Sequence, residues 1–195
     1  MAKAGAAVST FHFKKTSHPL DENFMSNNKS ELIDESRLTD LSPLDVIPDE
    51  MPFDVPYGLP ISLARAQAVI HAAMAEATRR NWKMNIAVAD SGGNLVAFQR
   101  MDGAMLASIQ IAEHKARASA TFRRPTKVFE DGIQRMHLNY LLAFDGIIAS
   151  RGGIPLIDHG KIIGAIGCSG GTDSQDEIVG QAGATVINQP TATSK

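Results

Sequence analysis

Chemistry in this chain must come from a small stock: six histidines, one cysteine and scattered arginines and acids. The densest grouping falls within 105–123, a stretch whose apolar spacing reads as a long helix. There His114, Arg117 and Thr121 stand at i, i+3 and i+7, on one helical stripe. Lys115 lies one step aside, and Arg124 and Thr126 follow just past the helix end. Ile109, Ala112, Ala116 and Ala120 make a narrow, small-residue face for the core. A helix with alanines inside and His, Lys, Arg and Thr outside presents donors to an anionic ligand, and arginine's planar fork suits carboxylates. His114 could ligate a metal or haem iron, or exchange a proton near neutral pH. The competing reading is a solvated face on which Glu113 pairs with Arg117 at i+4.

A second grouping is Arg151-Gly152-Gly153, where an arginine beside flexible glycines could bring a cation and bare backbone N–H groups to an anion, or simply make a turn. A third is Asp173, Asp176 and Glu177, in the first turns of a terminal helix. Negative charge there complements the helix dipole; a weak metal site or a general acid/base is the alternative. Gly167-Cys168-Ser169-Gly170-Gly171 matches G-x-S-x-G and sits between a strand and a helix. No histidine follows Ser169, so the hydrolase order of serine, acid, histidine is missing. Glycines at a strand end also allow close backbone approach. There is no G-x-G-x-x-G, no Walker A lysine, no H-E-x-x-H and no Cys/His cluster. Cys168 reads as a small core residue.

Composition narrows the classes. A net charge of −2 gives no electrostatic footprint for nucleic acid. Apolar runs are far shorter than a membrane span, and the first fifteen residues contain no continuous apolar stretch of the kind a secretory signal needs. A single cysteine excludes an internal disulfide and fits a cytoplasmic setting. Hydrophobic residues make up 44% of the chain, enough for a core.

The elements that must position these groups begin after a break in character. Residues 1–55 are polar and acidic, with Pro43, Pro48 and Pro52 interrupting the second half. They read as an extended, partly disordered arm with a short helix around 29–38. Leu41, Leu44, Val46, Ile47, Met51, Phe53 and Val55 would suit packing on a neighbouring subunit. Residues 56–189 read as the folded domain, and 190–195 as a frayed tail. Ser62 caps a helix with Leu63, Ala66, Ile70, Ala73, Met74 and Ala77 on one face. Residues 84–90 and 95–101 alternate with period two around Ser91-Gly92-Gly93-Asn94, a β-hairpin. After the long helix comes a short one at 126–135 with Lys127 and Glu130 outward, then 138–148, ambiguous between helix and loop. A second hairpin, 154–157 and 161–168, turns at Asp158-His159-Gly160, and Asp173 or Ser174 caps a helix to about 187. Strands that arrive as hairpins make an antiparallel sheet, so the class is α+β with helices layered on it.

The blocks VADSGGNL (88–95), MDGA (101–104), EHKARASA (113–120) with Phe122 and Pro125-Thr126, GGIPL (152–156) and IGAIGCSGG (163–171) with Asp176-Glu177 resemble the GlcG/HbpS-like haem-binding family and the C-terminal domain of PduO-type proteins. The resemblance spans 62–187. It implies a profilin-like fold, a five-stranded antiparallel sheet flanked by helices, and homo-oligomers, often octamers. Some members of the family bind or degrade haem; others accompany glycolate or diol metabolism without a settled activity. Cys168 stands where the family commonly has an aliphatic or other small residue, and the arm lies outside the family domain.

Three functions stay open. In the first, haem propionates meet Arg117, Arg124 or Lys115, while His114 or Thr121 approaches the iron. In the second, a cofactor-free isomerase or lyase holds a small carboxylate on Arg124 or Arg151. His114 or Glu177 then moves a proton, and the Gly152-Gly153 N–H groups face developing negative charge. The third is a non-catalytic oligomeric accessory protein.

Overall fold

The computed structural model describes residues 48–188. The chain divides into two units between Asp49 and Glu50, and the architecture below belongs to the second. The helix expected at 29–38, the apolar residues at 41–47 and the tail at 190–195 lie outside the described residues.

The element order is α1 (Leu63–Arg79), β1 (Asn85–Asp90), β2 (Leu95–Arg100), α2 (Ser108–Thr121), α3 (Lys127–Gln134), a short 3-10 helix (Asn139–Ala143), β3 (Gly153–Asp158), β4 (Lys161–Ser169) and α4 (Asp173–Ala184). The two hairpins join through β1 and β4 into one antiparallel sheet, ordered β2-β1-β4-β3. It has four strands rather than five. Where β4 runs on past its pairing with β1, residues 56–61 make a parallel bridge at Tyr57 and Ile162. The Pro56 carbonyl accepts from Ile162 N–H, and Gly58 and Ile61 donate to the Ile162 and Ile163 carbonyls. Pro56 and Pro60 have no N–H to extend that pairing into a strand.

Helices cover both faces. On one, α1 and α4 bury Val69, Ile70 and Val179 against Met84, Ile86, Val88, Ile166 and Cys168. On the other, Ala112 and Ala116 of α2 pack on Ala87 and Ala89. The period-two alternation of β1 therefore separates two buried faces rather than an inside from an outside. The small-residue face of α2 has a direct cause: a Cβ on Gly167 would overlap the Ala112 carbonyl and Ala116 nitrogen. Helix and strand lie that close only because Gly167 has no side chain, which also accounts for the first glycine of the G-x-S-x-G match. Ser169 is buried, opposite Asn85 in the strand register.

Ser62 caps α1 as its type suggests, accepting from Arg65 N–H. Leu63, however, is exposed, and Val69 takes its place in the core. Helix α4 is capped by Thr172, not by Asp173 or Ser174. Thr172 and Gln175 exchange side-chain-to-backbone bonds in a capping box. Residues 138–148 resolve into the short 3-10 helix and loop, with Tyr140, Leu142 and Phe144 exposed.

Candidate functional site

With Ala112 and Ala116 fixed under the sheet, helical geometry turns Gln110, Glu113, His114 and Arg117 outward. Together with Gly146 from the loop before β3, these four line a cavity of about 480 Å³. His114 is half-buried and Arg117 exposed. Neither side chain has a hydrogen-bond or ion-pair partner among the described residues, and the expected Glu113–Arg117 pair is not formed. The β1–β2 turn buttresses this stripe: a Cβ on Gly93 would press on Thr121 and Arg117 side-chain carbons. Thr121 itself donates its hydroxyl to the Arg117 carbonyl, and its carbonyl accepts from the Tyr57 hydroxyl.

The other expected ligand-binding groups are engaged elsewhere. Lys115 does not share the outer face. Its ammonium is buried and bonds the Asp176 carboxylate at 2.7 Å, linking α2 to α4. Asp176 also accepts from Gly171 N–H. Burial pushes the Asp176 carboxyl up, against the charge and hydrogen bond of Lys115 and the Gly171 N–H. Burial likewise pushes the Cys168 thiol up, helped by the Asp176 charge. Cys168 is thus a core residue and not an activated nucleophile.

Arg124 is half-buried, stacked 3.9 Å over the Phe53 ring, with its Nε donating to the Phe122 carbonyl. Burial, then the Arg123 charge, lowers its pKa. Thr126 is buried; its hydroxyl accepts from Gly153 N–H while its own N–H donates to the Gly153 carbonyl. The Gly153 N–H is thereby spent within the fold and is not free for an oxyanion, and a Cβ on Gly153 would overlap the Lys115 carbonyl and Thr126. Gly152 adopts φ 119° and is equally hemmed in, by the Cys168 carbonyl and Asp176. Arg151 is wrapped by carboxylates: it bonds Glu130 through several N–H groups and Glu177 at 3.3 Å, with Asp131 at 4.0 Å. Glu130, expected outward on α3, is buried by this pairing. Asp173 accepts from the Ser150 hydroxyl. Among the described residues no three His, Cys, Asp or Glu side chains converge to hold a metal ion. No described helix is long and apolar enough to cross a membrane.

One stripe of α2 thus keeps unspent imidazole and guanidinium groups over a cavity. A family model described as "Haem degrading protein HbpS-like" matches residues 61–185. The chain belongs to the HbpS-like family. Among curated proteins it is 39% identical to Protein GlcG of Escherichia coli K12 over 109 residues, 56% of this chain and 81% of that one. Among solved structures it resembles Klebsiella pneumoniae protein ORFY at 30% identity and TM-score 0.64, covering 74% of this chain and 99% of that one. A PduOC–haem complex has the same fold at 24% identity and TM-score 0.60, covering 67% of this chain and 96% of that one.

Within this HbpS-like chain, the spacing along α2 fixes which side chains face the sheet and which face the cavity. Ala112, Lys115, Ala116 and Ser119 follow i, i+3, i+4 and i+7, so Lys115 belongs to the buried stripe. Gln110 stands four residues before His114, which places it on the cavity side. Gly146 comes from an irregular loop, and no sequence period points to it.

Proposed function

We propose that this protein binds haem at the outer stripe of α2, with His114 toward the iron and Arg117 toward a propionate. The observation that carries this is the selective freedom of those two side chains beside a cavity, while Lys115, Arg124, Thr126 and Arg151 are engaged within the fold. The donor set fits the group: a neutral imidazole ligates iron, and a planar guanidinium matches a carboxylate. Bound haem supplies redox chemistry at its iron; the chain's part is to place one ligand, neutralise an acid and limit water. Support also comes from the family description and from the haem complex of PduOC on the same fold.

The cavity is lined by four polar side chains and one glycine, so one subunit offers little cover for the flat apolar faces of a porphyrin. Exposed Leu142 and Phe144, near Gly146 in sequence, supply apolar surface, and a second copy of the chain would complete the enclosure. We therefore extend the proposal to a homo-oligomer. The isomerase or lyase reading loses the Gly153 N–H as an oxyanion donor and loses a free Arg151.

Hemin titration of the full-length protein, followed by absorbance, tests the reading. A saturable Soret shift at about one haem per subunit or per dimer is expected, weakened by about tenfold in His114→Ala and less in Arg117→Ala. Non-saturating uptake, equal in all three proteins, would mean porphyrin adsorption and end the haem reading.

A further inference from the structure

A larger cavity, about 750 Å³, opens where the β3–β4 turn meets the entry to α1, and it shares no lining residue with the His114 cavity. Its size falls in the range of small-molecule sites. Its walls combine two chemistries.

The first is positive charge. Arg65 and Lys161 line it, with the imidazole of His159, against one carboxylate, Asp158. Arg65 Nη1 donates to Asp158 Oδ2 at 2.9 Å, and this bond holds the Asp158 carboxyl below its usual value. The acid is thus held ionised, bonded through a single N–H of Arg65, with His159 Nε2 3.7 Å from its other oxygen. The rest of that planar fork has no partner among the described residues, and the side chain is 43% exposed. The Lys161 ammonium likewise has none. The start of α1 adds to the same sign: its first turn carries no acid, whereas α4 opens with Asp173 and Asp176.

The second is an apolar wall that does not collapse. Tyr57 is 48% and Leu59 86% exposed, with Pro60 and Ile163 behind them. The segment that carries them is pinned to β4 by three backbone bonds, from Ile162 to Pro56, Gly58 to Ile162 and Ile61 to Ile163. The Tyr57 ring is fixed by its hydroxyl bond to the Thr121 carbonyl at 2.7 Å and by the Arg123 guanidinium over its face. Leu59 is left standing in water on this pinned segment, beside the Arg65 and Lys161 cations.

An inorganic anion would use the cations and leave the apolar wall wet. A neutral hydrophobe would cover the wall and leave the cations idle. We propose that this cleft binds small carboxylates with an apolar body, the carboxylate on Arg65 and Lys161 and the body against Tyr57 and Leu59. The site is separate from the haem reading, and either can fail alone.

Amide NMR titrations of the haem-free full-length protein with benzoate, benzamide and inorganic phosphate provide the test. Benzoate should shift the amides of Gly58, Lys161 and Ile163 saturably, with benzamide and phosphate weaker by about tenfold or more. Lys161→Met, a change at an exposed side chain, and Arg65→Met should each weaken benzoate by about three- to tenfold. Leu59→Ser should weaken benzoate and leave phosphate unchanged. Equal responses to benzoate and benzamide, phosphate binding as tightly as benzoate, shifts centred on Arg117, or unchanged affinity in both cation variants would each overturn the proposal.

Discussion

Lys115 and Asp176 have side chains only 1% and 3% exposed, and they meet at 2.7 Å. Removing either partner leaves the other charge buried without compensation, which costs about 3–5 kcal/mol, whereas replacing both with apolar groups of similar size costs far less. Lys115→Met and Asp176→Ala should therefore each lower the melting temperature by roughly 10–15 °C, and Lys115→Met/Asp176→Leu should recover most of it. Thermal unfolding of the four proteins measures this. Single variants that melt within about 1 °C of the parent would show that the pair is not the buried contact described. Cys168 offers a second readout, because its thiol lies within the same core and burial raises its pKa. A thiol reagent should modify the parent only as fast as the protein opens, and the single variants faster. Rapid labelling of the folded parent would place the sulfur at the surface instead.

At the scale of elements, α2 is set on the sheet by what Gly167 lacks. Gly167→Ala puts a methyl group where the Ala112 carbonyl stands, and the helix must lift or the strand bend. Overpacking of this kind costs about 1–3 kcal/mol, and more where backbone opposes backbone. Calorimetry should find this variant among the least stable of any alanine substitution in β4; a neutral effect would mean that α2 rides higher than described. Both hairpins, the four principal helices and the antiparallel class were legible because their residues carry a period, and turn residues such as Gly92-Gly93 and His159-Gly160 mark the ends. The fifth strand was implied by the family resemblance alone; the periodic residues mark two hairpins, and the sheet of the described residues has those four strands. Site residues divided along the same line. His114 and Arg117 share a local stripe and could be read together. Arg151, Glu130 and Glu177 meet only after α3, β3 and α4 are assembled, so charge alone made Arg151 look available and Glu130 look solvated.

Across the whole molecule, those ion pairs tie distant segments together and give stability a pH dependence of definite sign. Arg151 joins α3 to α4 through Glu130 and Glu177, and Arg65 joins α1 to the end of β3 through Asp158. Burial alone would raise the Glu130 carboxyl, but hydrogen bonds from the Arg151 side chain and backbone, with its charge, outweigh it and hold Glu130 below its usual 4.5. A carboxylate whose pKa is lower folded than unfolded contributes stability above its unfolded value and loses it as pH falls through its folded value. Glu130 and Asp158 therefore weaken the fold progressively below about pH 4.5. Asp176 acts in the opposite sense: its raised pKa means the folded state gains protons, and stability, as pH falls toward the unfolded value. Melting temperature should hold near neutrality and then fall on acidification. Glu130→Gln should start lower at pH 7, by about 1–3 kcal/mol for a lost charged hydrogen-bond set, and decline less steeply in acid. Asp176→Asn should leave the acid limb at least as steep as the parent's, because it removes a carboxyl whose protonation favours the fold. Parallel limbs for the parent and Glu130→Gln would show that Arg151 does not hold Glu130 ionised, and its hold on α3 would then have to rest on Asp131, 4.0 Å away.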